Sequence, residues 1–145
     1  MLENTGTRKI YLDHNATTPV NERIIQGLGL VVRMWGNPSS IHFAGRGPKS
    51  FIRESRKALA DSLSVSPLEI LFTSGGSEGN STIIQGIYNL TRNSNSIYAQ
   101  MLTGRNEFIT SAVEHPSVLK SFKAIEELGA KVHYLPVHRD GEIDL

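Results

Sequence analysis

Ile70-Leu71-Phe72-Thr73-Ser74-Gly75-Gly76-Ser77-Glu78-Gly79-Asn80 is an apolar run that breaks into glycines and then opens a new polar-capped segment. Residues 70–73 have the length and character of a buried strand, and residues 77–90 carry a helical period. The alternation repeats downstream. Residues 108–110 read as a second strand, 116–128 as a helix and 132–135 as a third strand. In that second helix Val118, Phe122, Ile125 and Leu128 share one face, Pro116 suits the first turn, and Gly129 supplies a stop. Strand, helix, strand, helix, strand is the order of an α/β sheet with parallel strands. Between the two units of the alternation, residues 92–106 are polar and without period, and read as a surface loop.

Upstream the character differs, which divides the chain into residues 1–9, 10–66 and 67–145. Residues 1–9 read as a flexible leader, being polar with little to bury. Asn21 offers an N-cap for a helix over 22–35, whose Ile24, Ile25, Leu28, Val31, Val32 and Trp35 follow the helical period. Gly27 and Gly29 weaken that helix by about 1 kcal/mol each relative to alanine, so it depends on tertiary packing. A second helix is expected over 48–63, with Pro48 in its first turn and Ile52, Ala58, Leu59 and Leu63 as its buried stripe. Lys49, Arg53, Arg56 and Lys57 fall on another face of it. That basic stripe reads either as a solvated helix face or as a nucleic-acid contact. Glu54 and Asp61 interrupt it, which favours the solvated face.

Composition narrows the function classes. The chain has 145 residues and a formal net charge of +1, too little basic excess for a polyanion binder. Hydrophobic residues make up 39% and charged residues 20%, ordinary for a globular protein. No apolar run approaches the roughly 20 residues of a membrane span, and no secretory signal pattern opens the chain. Cysteine is absent, so these residues supply no disulfide, no thiolate metal ligand and no thiol nucleophile. A cytoplasmic protein is the expectation, or a mitochondrial one if a targeting leader precedes this chain.

Two features stand where α/β sheets bind ligands, at the carboxyl ends of strands. The first is the loop 73–80. Its glycines admit close backbone approach, and the helix that follows presents unpaired N–H groups to an anion such as phosphate. Ser77 adds a hydroxyl. The Walker lysine is missing, and a plain glycine turn with a serine cap explains the same letters. The second is Thr110-Ser111-Ala112-Val113-Glu114-His115-Pro116, which places His115 between strand and helix. An imidazole there can stack on a planar ligand or relay protons near neutral pH, or it can simply cap the helix. His14, His42, His133 and His138 show no zinc-type spacing, so no metal site is expected.

Taken together, the motifs resemble those of cysteine desulfurases and selenocysteine lyases, in the class V branch of the fold-type-I pyridoxal-phosphate enzymes. Tyr11-Leu12-Asp13-His14-Asn15-Ala16-Thr17-Thr18-Pro19 is similar to the family's first signature, and Gly36-Asn37-Pro38-Ser39-Ser40-Ile41-His42 with Gly45 to its second. Phe72 to Glu78 resembles the phosphate loop, and Ile109 to Leu119 the histidine segment. The four motifs follow in the family's order.

The resemblance implies an α/β fold, the N-terminal part of a fold-type-I large domain, in which the strand 70–73 does not pair with the next two. It implies pyridoxal phosphate as cofactor, with Gly76 and Ser77 holding the phosphate; Ser77 stands where the family often has threonine. His115 would stack on the cofactor ring and assist proton transfers. Asn15, Ala16 and Thr17 would line the substrate side. Gly79 and Ser81 depart from the serine and asparagine expected around Asn80. The implied reaction takes L-cysteine or L-selenocysteine to alanine, passing sulfur to an enzyme cysteine and on to an acceptor or scaffold protein, as in iron–sulfur cluster assembly, within a homodimer.

The family's Schiff-base lysine, its pyridine-pairing aspartate and its nucleophilic cysteine match nothing here. Lys9, Lys49, Lys57, Lys120, Lys123 and Lys131 all fall elsewhere in the pattern. The expectation is therefore an N-terminal fragment, inactive and poorly folded by itself. Other readings are a class V aminotransferase or kynureninase relative, a phosphate-binding domain for another ligand, and a non-enzymatic binding module.

Overall fold

A computed structural model describes residues 9–93, 97–102 and 104–144 of the chain. The expected leader falls almost wholly outside these residues. The chain divides into two compact units, Met1–Ile70 and Leu71–Leu145.

In the first unit, helix α1 spans Glu22–Val32, capped as expected by Asn21, whose side chain accepts from the Arg23 N–H at 2.9 Å. It stops short of Trp35, because residues 33–35 close tight turns back onto the helix end. No α1 residue is buried, so its apolar stripe faces outward in this chain.

Helix α2 spans Phe43–Leu63, beginning five residues before the expected start. Pro48 sits inside it. At the helix's sixth position it lacks the N–H that would otherwise reach the Ala44 carbonyl, and the helix runs on through the loss of that one bond. The turn at 42–45 winds early because the Gly45 N–H bonds to the His42 carbonyl at 3.1 Å. The expected buried stripe of α2 is also corrected. Leu59 and Leu63 are exposed, and the buried positions are Gly45 and Ala60.

A 3-10 turn follows at Pro67–Glu69, where Ser66 and Glu69 cap one another's backbone. The Arg56 Nε then donates to the Ile70 carbonyl at 3.2 Å.

The second unit carries the core. Residues 71–73 join no ladder among the described residues, and Leu71 is 71% exposed. The buried strand expected over 70–73 is therefore absent. A strand is made by laddering with a neighbouring strand, and the two-stranded sheet of the described residues does not include this segment. Helix α3 spans Gly76–Arg92, and a short helix α4 at Ile97–Leu102 occupies part of the segment expected to be loop. Strand β1 (Glu107–Ser111), helix α5 (Pro116–Glu127) and strand β2 (Lys131–Leu135) follow.

β1 and β2 pair in parallel, Glu107 opposite Lys131 through Ser111 opposite Leu135, a βαβ unit closed by α5. Gly129, at φ +99°, makes the turn out of α5. Glu107 pins the register, accepting from His133 at 2.8 Å and Lys131 at 3.0 Å. These bonds, His133's first, hold its carboxyl below the usual range.

Ile84, Tyr88, Ile125 and Ala130 form the core, with Phe108, Val118, Phe122 and Val132 packed around it. Ile125 is fully buried, as the α5 stripe predicts, whereas Leu128 at the end of that stripe is exposed. Tyr88 is 4% exposed and keeps its hydroxyl satisfied by donating to the Leu128 carbonyl. That bond ties the far end of α3 to the end of α5.

Candidate functional site

At the start of α3 the chain turns through Gly75 with no side-chain cap. The Gly79 N–H reaches the Gly75 carbonyl at 3.1 Å, closing the first helical bond. The N–H groups of Gly76, Ser77 and Glu78 precede any such partner within the helix. They form the positive end of a 17-residue helix, a ready place for a phosphate. A Cβ built at Gly75 or Gly76 would meet nothing within 4 Å, so the approach is open.

Glu78 is an anion in this first turn, and its carboxylate is engaged at Ser74, just before the helix. Its carboxylate accepts from both the hydroxyl and the N–H of Ser74, the latter at 2.6 Å. Those two bonds, the hydroxyl's first, hold its pKa below the ordinary value. Ser74 is thereby satisfied, and the three helix donors stay available. Thr73 Oγ1 donates to the Gly75 carbonyl at 3.1 Å and steadies the turn.

His115 stands where β1 gives way to α5. It caps α5: its Nδ1 accepts from the Ser117 N–H at 3.1 Å. The capping role weighed from the sequence is thus real, and it leaves Nε2 outside the cap. Before it, Ser111 donates to Glu114 at 3.1 Å, ordering the strand-to-helix loop.

α3 and α5 pack together, and their first turns are joined directly. Asn80 Nδ2 donates to Ser117 Oγ at 3.0 Å, and Ser117 Oγ lies 2.7 Å from His115 Nδ1. The structure therefore brings the phosphate-loop helix and the histidine segment together, at the carboxyl end of β1. Asn80 and Ser117 were not singled out as functional from the sequence. A serine two places after a helix-capping histidine was the available signal for one of them.

Asn15, Ala16 and Thr17 belong to the first unit. They lie in an exposed turn held by Ala16 and Thr17 N–H groups donating to the Asp13 carbonyl, at 3.2 and 3.4 Å. The Tyr11 hydroxyl lies 2.7 Å from the Asp13 carbonyl and 3.0 Å from that of Thr17, bracing the turn. Thr17 also lines a cavity of about 400 Å3 with Tyr11, Thr18, Pro19 and Val20. Asn15 and Ala16 are not among its walls.

A cavity of about 420 Å3 follows the basic face of α2 between Pro38, Ile52 and the cations Arg46, Lys49, Arg53 and Arg56. Lys57 turns from it to pair with Asp61 at 2.6 Å. Among the described residues no group of three or more His, Asp or Glu is placed to hold a metal ion. Among them, too, no helix is long and apolar enough to cross a membrane.

The family described as Aminotransferase class-V matches residues 10–145. A protein named cysteine desulfurase IscS from Dictyoglomus turgidum is 38% identical over 138 residues, covering 94% of this chain and 32% of that protein. The human selenocysteine lyase is 37% identical, covering 94% of this chain and 33% of that one. Among solved structures, a NIFS-like protein superposes with a TM-score of 0.73 at 31% identity, over 90% of this chain and 33% of its own. One titled SspA in complex with cysteine superposes with a TM-score of 0.70 at 30% identity, over 88% of this chain and 34% of its own. The chain spans about a third of the length of the curated relatives it matches.

Proposed function

Because the chain belongs to the aminotransferase class-V family, we propose that it carries the phosphate-binding and histidine segments of a pyridoxal-phosphate-dependent cysteine desulfurase. The observation that carries the reading is the join between two helix starts. One offers three backbone donors to a phosphate, the other an imidazole, and the Asn80–Ser117 bond links them.

The residues fit the cofactor's phosphate. The Gly76, Ser77 and Glu78 N–H groups and the Ser77 hydroxyl would hold it, with the α3 dipole favouring its charge. His115 would lie against the ring and handle protons at the substrate. Asn15, Ala16 and Thr17 would line the substrate side. When bound, the cofactor supplies an electron sink for charge developing at the substrate Cα. The first and second signatures, and relatives named for cysteine and for selenocysteine, support L-cysteine with L-selenocysteine as the alternative substrate. The uncovered apolar face of α1 supports a homodimer or further chain packed there. Sulfur would pass to an acceptor or scaffold protein, serving iron–sulfur cluster assembly.

The activity is proposed for the full-length protein, since the relatives are about three times as long. Full-length protein given pyridoxal phosphate and L-cysteine is expected to yield alanine and sulfane sulfur in equal amounts. Residues 1–145 alone are expected to yield neither above a heat-killed control, because none of their lysines matches the cofactor-binding position. Keto acid in place of alanine would indicate an aminotransferase, and sulfur from the 145 residues alone would refute the assignment of lysine chemistry elsewhere.

A further inference from the structure

Resting on that reading, we propose that Asn80 and Ser117 are positioning residues that fix the tautomer of His115, keeping the neutral ring's proton on Nε2. A backbone N–H only donates, so the Ser117 N–H at 3.1 Å requires a lone pair on His115 Nδ1. A neutral imidazole carries one N–H, which then stands on Nε2.

The side chains set the same polarity. The Asn80 amide nitrogen also only donates, and it fills an acceptor position on Ser117 Oγ at 3.0 Å. The Ser117 hydroxyl proton is left to point along the 2.7 Å line to Nδ1. Ser121 Oγ donates to the Ser117 carbonyl at 2.7 Å, fixing the turn that presents both Ser117 donors. Two donors thus converge on Nδ1, one of them oriented from a different helix. The ring offers a fixed N–H at Nε2, so an acceptor oxygen on cofactor or substrate meets a hydrogen-bond donor there. Asn80 ties this to the phosphate loop, since it sits on the first turns of the same helix as Gly76 and Ser77.

The test uses full-length protein with 15N-labelled histidine, without cofactor or cysteine, at a pH where the ring is neutral. His115 is assigned with a His115→Gln variant. Its Nδ1 is expected at the bare-nitrogen end of the range and its Nε2 at the N–H end. Asn80→Asp keeps the shape but turns a donor into an acceptor, drawing the Ser117 proton away. With only the Ser117 N–H left on Nδ1, it is expected to move both resonances toward averaged values. Ser117→Ala is expected to move them toward averaged values, and Ser117→Thr, which keeps the hydroxyl, to leave them in place. An Nδ1–H ring in the wild type overturns the proposal, as do unchanged resonances in a folded Asn80→Asp. Neither result bears on sulfur release, which tests the desulfurase reading separately.

Discussion

Replacing His115 with alanine in the full-length protein is expected to slow sulfur release from L-cysteine by about 100- to 10,000-fold, the range for losing a positioned acid–base group. The same change removes the α5 cap, which costs about 1 kcal/mol of stability. The two effects are separable. His115→Asn keeps a side-chain acceptor for the Ser117 N–H but has no imidazole, so it is expected to melt near the wild type and remain slow. Thermal melts beside single-turnover sulfur release distinguish the roles. A folded His115→Asn protein working at the wild-type rate would reduce His115 to a helix cap.

The second large effect lies in the first unit, where the second signature is written around close backbone approaches. Gly36 has φ +130°, and a Cβ added there would sit 2.9 Å from the Ala44 carbonyl carbon and closer still to its oxygen. Neither the backbone nor the space admits a side chain. Strain of about 1–3 kcal/mol plus a similar overpacking cost gives an expected loss of about 2–6 kcal/mol for Gly36→Ala. That is a large part of a typical total of about 5–15 kcal/mol. Gly45 is similarly confined, since its Cβ would stand 2.6 Å from the Asn37 carbonyl oxygen and 3.0 Å from Ser40 Cβ. Gly27, in open space on α1, is the control. Alanine there is expected to be neutral or to stabilise by up to about 1 kcal/mol. Urea midpoints of the variants check this, and a Gly36→Ala protein as stable as Gly27→Ala would contradict it.

Where local signals agreed with one another, the sequence was a good guide. Pro116, the Val118–Ile125 stripe and Gly129 all marked α5, and its observed end at Glu127 lies one residue from the expected one. The β1–β2 pair followed from short apolar runs flanking that helix. Residues 70–73 show the limit of such signals: the letters suit a buried strand, but a ladder depends on a neighbour that local sequence does not contain. Pro48 misled in another way, since it fits a first turn and is also tolerated a few residues inside one. α4 hid in a polar stretch because Ile97, Tyr98 and Met101 are too few to establish a period. Gly76, Ser77 and His115 were legible as motif residues. The Asn80–Ser117 bond was not, because its partners are 37 residues apart and meet only when α3 packs on α5.

The central claim is that the start of α3 holds the phosphate of the cofactor. It is tested most directly by comparing the affinity of the full-length protein for pyridoxal phosphate with that for pyridoxal, which lacks only the phosphate. Even one charge-assisted bond of about 1.5–3 kcal/mol predicts that pyridoxal phosphate binds about 10- to 150-fold more tightly, and Ser77→Ala is expected to narrow the gap. Equal affinities for the two compounds, or a gap that Ser77→Ala leaves untouched, would contradict it.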